Sequence, residues 1–112
     1  MPKFSLSEAV NLARKKLIKA GCSEENYQGI TDGIIDAELS GIKSHGFHYL
    51  PIYCNHLKIG KIKGSAQASA ERLSDSALKI NADNGFAHNA INLGFSSLFD
   101  MCATSGLSLI HI

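Results

Sequence analysis

Tryptophan is missing from this chain, cysteine occurs only three times, and neither sign of charge prevails. The cysteines, Cys22, Cys54 and Cys102, are far apart and odd in number. No CxxC pair exists, so a zinc ribbon and a thioredoxin-type redox site are both unsupported, and a sparse, odd set suits a reducing compartment. A formal net charge of +1 gives no reason to expect nucleic acid or an anionic membrane as partner. The one basic cluster, Arg14, Lys15, Lys16 and Lys19, reads as the solvated face of a helix. No apolar run approaches transmembrane length, and "MPKFSLSEAV" lacks the apolar core of a signal peptide, so a cytoplasmic location is expected. Internal repeats and low-complexity tracts are also missing.

What is there is an ordinary globular composition, 45% hydrophobic and 19% charged, in 112 residues, one domain's worth at most. A first helix is predicted from Ser5 or Ser7, with Val10, Ala13 and Leu17 at helical spacing and Gly21 as its stop. A second is predicted to open at "CSEEN" with Ser23 as cap, burying Tyr27, Ile30, Ile34 and Ala37 and ending at Gly41. The connector "IKSHG" leads to a third, starting shortly after His45 because Pro51 fits only a first turn. Leu50, Tyr53, Cys54, Leu57 and Ile59 are its expected buried face, closed by Gly60.

The pattern then changes. "KIGKIKGSAQASAERLSD", residues 58–75, reads as a loop with a short strand, and "SALKINADNG" as a strand with Leu78 and Ile80 on one side, running into a turn. "FAHNAINLGFSSLFDMCATSG" reads as a helix burying Ala90, Leu93, Leu98, Met101 and Cys102, and "LSLIHI" as an apolar strand. The expected fold class is α+β. A three-helix subdomain (residues 1–62) precedes the beginning of a mixed-sheet cofactor and substrate domain (residues 63–112), which ends unfinished. "LSLIHI" can also be encoded by CTG TCT CTT ATA CAC ATC, the end of a transposon adapter used in sequencing libraries. Residues 107–112 are therefore expected to be at least partly adapter-derived.

One stretch carries candidate chemistry: "KSHGFHYLP", residues 43–51. Ser caps helices and Gly bends chains, so a lone Ser-His-Gly is weak by itself. A metal site from His45, His48 and His56 has no Asp, Glu or Cys at chelating spacing. Hydrolysis by Ser44 lacks a GxSxG elbow. Position favours Ser44 and His45, because a connector between helices can face a cleft. An imidazole there exchanges protons near neutral pH, and Ser44 can hold it or relay its proton.

"DAELSGIKSHGFHYLPIYCNHLKIGKI" resembles the opening of the type-two malate/L-lactate dehydrogenase family, on Asp36, Gly41, Ser44, His45, Gly46, Leu50, Pro51, Tyr53, Leu57 and Gly60. "LKINADNGFAHNAI" matches the family's strand, turn and helix start through Asp83, Asn84, Gly85 and Phe86. The resemblance implies a nicotinamide-dependent (NAD or NADP), non-Rossmann oxidoreductase interconverting a malate- or lactate-like 2-hydroxy acid and its 2-oxo acid. It implies catalytic roles for His45, as proton donor and acceptor, and for Ser44, as its relay toward an acidic partner further along, and it implies a homodimer. Many members carry an arginine three residues after Ser-His-Gly, where this chain has Tyr49. A phenol cannot copy the two-bond guanidinium grip on a carboxylate. Tyr49 and His48 are thus the candidate substrate-side residues unless an arginine comes from elsewhere, and imino acids stand beside hydroxy acids as substrates. Ala87 and His88 also depart from the family pattern without an evident reason. No GxGxxG or other phosphate loop is present, so the cofactor motifs are expected beyond this chain. The rival readings are a small helical interaction module without chemistry and, more weakly, a helical nucleic-acid binder.

Overall fold

The computed structural model describes residues 3–105. Helix α1, Leu6–Ala20, begins where expected: the Ser5 hydroxyl accepts the Glu8 N–H at 3.2 Å, worth about 1 kcal/mol for a cap of this kind. It ends at Gly21, whose φ of 113° lies in the left-handed region that a Cβ disfavours. Helix α2, Tyr27–Leu39, with Asn26 at its cap position, starts three residues later than a Ser23 cap would place it. Ser23 is not its cap. The Ser23 carbonyl instead accepts the N–H groups of Asn26 and Tyr27, and its own N–H donates to the Gly64 carbonyl at 3.0 Å. The polar groups of "CSEEN" are thus spent on a turn and on the loop after the third helix.

Two single 3-10 turns, Lys43–His45 and Phe47–Tyr49, separated by Gly46, fill the connector. Helix α3, Leu50–Lys58, therefore opens at Leu50, a few residues after His45, with Pro51 in its first turn where no N–H is needed. Strands β1, Ser69–Ser74, and β2, Ala77–Asn81, form an antiparallel hairpin in the register Ser69↔Asn81, Ala70↔Ile80, Glu71↔Lys79 and Arg72↔Leu78, with a bulge before Ser74. Helix α4, Ala87–Ser105, closes the described chain.

The core is Ala13, Leu17, Ala20, Cys22, Ile30, Ile34, Leu50, Leu57 and Phe86, flanked by Tyr27, Phe47, Tyr53, Cys54 and Ile62. Burial, and secondarily the neighbouring Cys54, pushes the Cys22 thiol up to about 11, so Cys22 packs as a small apolar side chain. Three expected core residues are exposed. Ile59 is 65% exposed because it follows the last turn of α3, where Gly60 (φ 76°) reverses the chain. Leu93 and Cys102 are exposed because α4 turns Ala90, Gly94 and Met101 inward instead, and Gly94 lies against Ile80.

The fold is α+β, a helical unit followed by a hairpin and a long helix. The hairpin is the only sheet among the described residues, and it is antiparallel. The closing strand and the adapter origin expected for 107–112 lie outside the described residues. α1 packs on α2 and α3, while α4 lies across β2 and α2. The α2–α4 contact is close because Gly29 and Gly33 sit one turn apart: a Cβ at Gly33 would stand 2.9 Å from the His88 ring, and one at Gly29 would strike the Asn89 side chain.

Candidate active site

Ser44 and His45 stand on the first 3-10 turn, both exposed. The turn is closed by the His45 N–H to the Ile42 carbonyl at 3.1 Å and the Gly46 N–H to the Lys43 carbonyl at 3.2 Å. In this conformation the Ser44 hydroxyl and His45 Nδ1 come within 2.9 Å. Neighbouring residues on an extended chain point to opposite sides; the tight turn brings these two onto one. Engagement of Nδ1 leaves Nε2 as the nitrogen able to meet a substrate oxygen. With Ser44 accepting from Nδ1–H, Nε2 keeps a lone pair as a base, or carries the proton as an acid when the ring is charged.

The His45 ring stacks on Tyr49, centroids 5.9 Å apart and planes 16° from parallel. Tyr49 meets Tyr53 at 5.3 Å, and Tyr53 meets both Phe86 at 5.2 Å and His88 at 6.0 Å edge-on. A ladder of rings thus runs from the exposed imidazole inward to α4. Burial, with the nearby Tyr49 second, raises the Tyr53 pKa above the usual phenol value. Tyr49 therefore faces the dyad, whereas His48, on the same second turn, is exposed and takes part in neither the hydroxyl bond nor the ring stack. His56 is on the last turn of α3, away from His45. Among the described residues no three His, Cys, Asp or Glu side chains gather as metal ligands.

Sequence reasoning passed over three residues that shape this region. Glu38, in the last turn of α2, accepts the Phe47 N–H at 2.8 Å through Oε1, and its side chain covers Gly46 so closely that a Cβ there would collide with it. A carboxylate at a helix C-terminus opposes the dipole, and that misplacement was the available signal. Asn26 donates to the carbonyls of Gly64 and Ala66 at 2.9 and 2.8 Å and accepts from Asn89 at 2.9 Å, joining α2, the loop and α4. No local pattern could have announced a bond spanning sixty-three positions. His88, left without a reading in sequence, is the inner end of the ladder. Its Nδ1 is buried without a hydrogen-bond partner, and burial holds its pKa below the usual imidazole value.

The turn before α4 holds Asp83 and Asn84 in the left-handed region, φ 54° and 57°. Asp83 Oδ2 accepts from the Gln67 N–H and from Lys63 Nζ, both at 3.1 Å, and these bonds hold its pKa below the usual carboxylate range. A groove of about 370 Å³ between α1 and α3 is lined by Leu12, Lys16, Leu50, Pro51, Cys54 and Lys58 among others, and leaves Ser44 and His45 outside it.

Residues 4–112 match the family model described as malate/L-lactate dehydrogenase. The chain is 31% identical over 110 residues to Delta(1)-pyrroline-2-carboxylate reductase of Ancylobacter novellus, covering 98% of this chain and 32% of that protein. It is 32% identical over 109 residues to the (2R)-3-sulfolactate dehydrogenase (NADP(+)) of Chromohalobacter salexigens, covering 97% of this chain and 32% of that one. The crystal structure of delta1-piperideine-2-carboxylate reductase from Pseudomonas syringae superposes with a TM-score of 0.88 at 26% identity, over 94% of this chain and 32% of its own. The chain thus spans about a third of the length of the relatives it matches.

Proposed function

The chain belongs to the malate/L-lactate dehydrogenase family, and we propose that it supplies the proton-transfer half of the active site of a nicotinamide-dependent oxidoreductase. The single observation that supports this most is the Ser44–His45 bond at 2.9 Å on an exposed turn, which leaves Nε2 for substrate. The substrate is a 2-hydroxy acid or a cyclic imino acid, the two chemistries that the relatives' names carry. Both need the same thing from this chain. Reduction requires a proton delivered to the carbonyl oxygen or imine nitrogen, and oxidation requires that proton removed. His45 Nε2 performs that exchange, and the Ser44 oxygen, accepting from Nδ1–H, keeps the ring in the tautomer that can accept.

Tyr49 presents its ring beside the imidazole and bounds one side of the substrate position, with His48 as a second substrate-side group at the rim. A stacked tyrosine favours a flat, compact substrate and offers no fork for a carboxylate, which the reading assigns to a cation elsewhere in the protein.

NAD or NADP is the proposed redox partner, but the described residues do not fit it. No glycine-rich loop follows a strand, and the turn before α4 carries Asp83, an anion already engaged by Lys63 and Gln67 and repulsive to a phosphate. Its contacts, and the acidic partner of Ser44, are assigned to residues outside this chain. In this reading residues 1–62 are the helical subdomain, 63–112 open the cofactor and substrate domain, and the complete protein is a cytoplasmic homodimer.

The test uses the complete reading frame, assayed with reduced nicotinamide against 2-oxo acids and cyclic imino acids. His45→Ala is expected to lower kcat roughly 100- to 10,000-fold. Unchanged turnover by that variant removes His45 from the chemistry.

A further inference from the structure

We infer that Glu38 is a positioning residue for the His45 imidazole, acting through the backbone of Gly46 and Phe47; this rests on the proton-transfer reading above. The two 3-10 turns are held internally by short-range bonds, His45 N–H to Ile42, Gly46 N–H to Lys43 and Tyr49 N–H to Gly46, at 3.0–3.2 Å. Such bonds fix the shape of each turn but not its direction relative to the helices. The Phe47 N–H to Glu38 Oε1 bond at 2.8 Å ties the junction of the turns to α2, nine residues back. The same carboxylate lies over Gly46, which is buried although Ser44 and His45 beside it are exposed. Glycine at 46 is what lets the carboxylate reach the Phe47 amide: an added Cβ would lie 2.6 Å from Glu38 Cδ.

The carboxylate thus grips the chain two residues beyond His45, at the junction of the two turns. Its charge strengthens the grip, because a bond from N–H to an ionised acceptor is about twice as strong as a neutral one. Loss of the bond loosens the turn that brings the Ser44 and His45 side chains together, so the dyad is made only part of the time and is badly aimed. A misplacement of about 1 Å at a reacting group can cost on the order of 100-fold in rate. Glu38 itself is turned toward the backbone, so it touches no substrate.

The experiment measures kcat, KM and melting temperature of the complete enzyme for Glu38→Ala, Glu38→Gln, Gly46→Ala and the Glu38→Ala/Gly46→Ala pair, with His45→Ala as reference. Glu38→Ala is expected to lower kcat by roughly 10- to 100-fold with KM unchanged. Glu38→Gln, which keeps an oxygen acceptor at the same reach, is expected to recover most of that loss. Gly46→Ala is expected to fall as far as Glu38→Ala in the native background and to cost little more once Glu38 is alanine, because the collision is gone. The 15N resonances of the His45 ring are expected to report one tautomer in the native enzyme and a mixture in Glu38→Ala. Native kcat in Glu38→Ala, a Gln variant no better than Ala, or ring resonances unmoved by the substitution each overturns the inference. Loss in His45→Ala with none in Glu38→Ala refutes the positioning role alone, whereas native turnover in His45→Ala refutes the proton-transfer reading beneath it.

Discussion

At His88 a single side chain is expected to tie the stability of the fold to pH. Its ring sits between Gly33 of α2 and the edge of Tyr53, with Nδ1 buried and unpaired. Burial disfavours the imidazolium, so the folded-state pKa lies below the ordinary value of about 6.5, and the unfolded chain binds the proton more readily. The sign follows: the contribution of His88 to stability is complete above about pH 6.5 and is lost as the pH falls below it, because acid favours the state in which the ring is hydrated. The melting temperature of the native protein should therefore drop between roughly pH 7.5 and 5.5, and His88→Gln should flatten that slope. Parallel slopes for the two proteins would show that His88 is not the sensor. Composition gave no hint of this, since a histidine after "DNGFA" looks the same whether it faces solvent or a glycine on another helix.

At the level of elements, the close crossing of α2 and α4 depends on Gly29 and Gly33. Gly29→Ala has two opposing effects: alanine is the better helix former by about 1 kcal/mol, while overpacking a close contact costs about 1–3 kcal/mol. The neighbour at Gly29 is the Asn89 amide, which is held by its bonds to Asn26 and cannot swing aside cheaply. Destabilisation of about 1–2 kcal/mol is expected, read as a lower urea midpoint, and a raised midpoint would mean that the helices separate without penalty. The elements themselves were largely legible, because their signals are local: Ser5 and Gly21 bound α1, Pro51 sets the first turn of α3, and Leu78 and Ile80 share the buried side of β2. The misreadings share a cause. Ser23 resembled a cap until the Gly64 carbonyl claimed its backbone, and Leu93 fitted a buried stripe until Gly94 offered α4 a closer approach to Ile80. The Ser44–His45 pair was visible in sequence because its members are adjacent, whereas Glu38 and Asn26 act through partners that only folding brings near.

For the molecule as a whole, the outer side of α4 has unmet apolar surface. Ile91, Phe95 and Phe99 recur every fourth residue and are 51%, 37% and 69% exposed, with the two phenylalanine rings stacked at 5.9 Å. The 112-residue chain is expected to associate in a concentration-dependent way in sedimentation velocity, and Phe95→Asp with Phe99→Asp to keep it monomeric. A native chain that stays monomeric and melts cooperatively at high concentration would favour a self-sufficient helical module instead. The Ser44–His45 contact has a different consequence, one for descent. Two partners joined by a single peptide bond cannot be parted by an insertion between distant segments or by exchange of domains, so a lineage inherits them together or loses them together. What can change by small steps is the direction the pair faces, and through it which substrate atom the proton reaches.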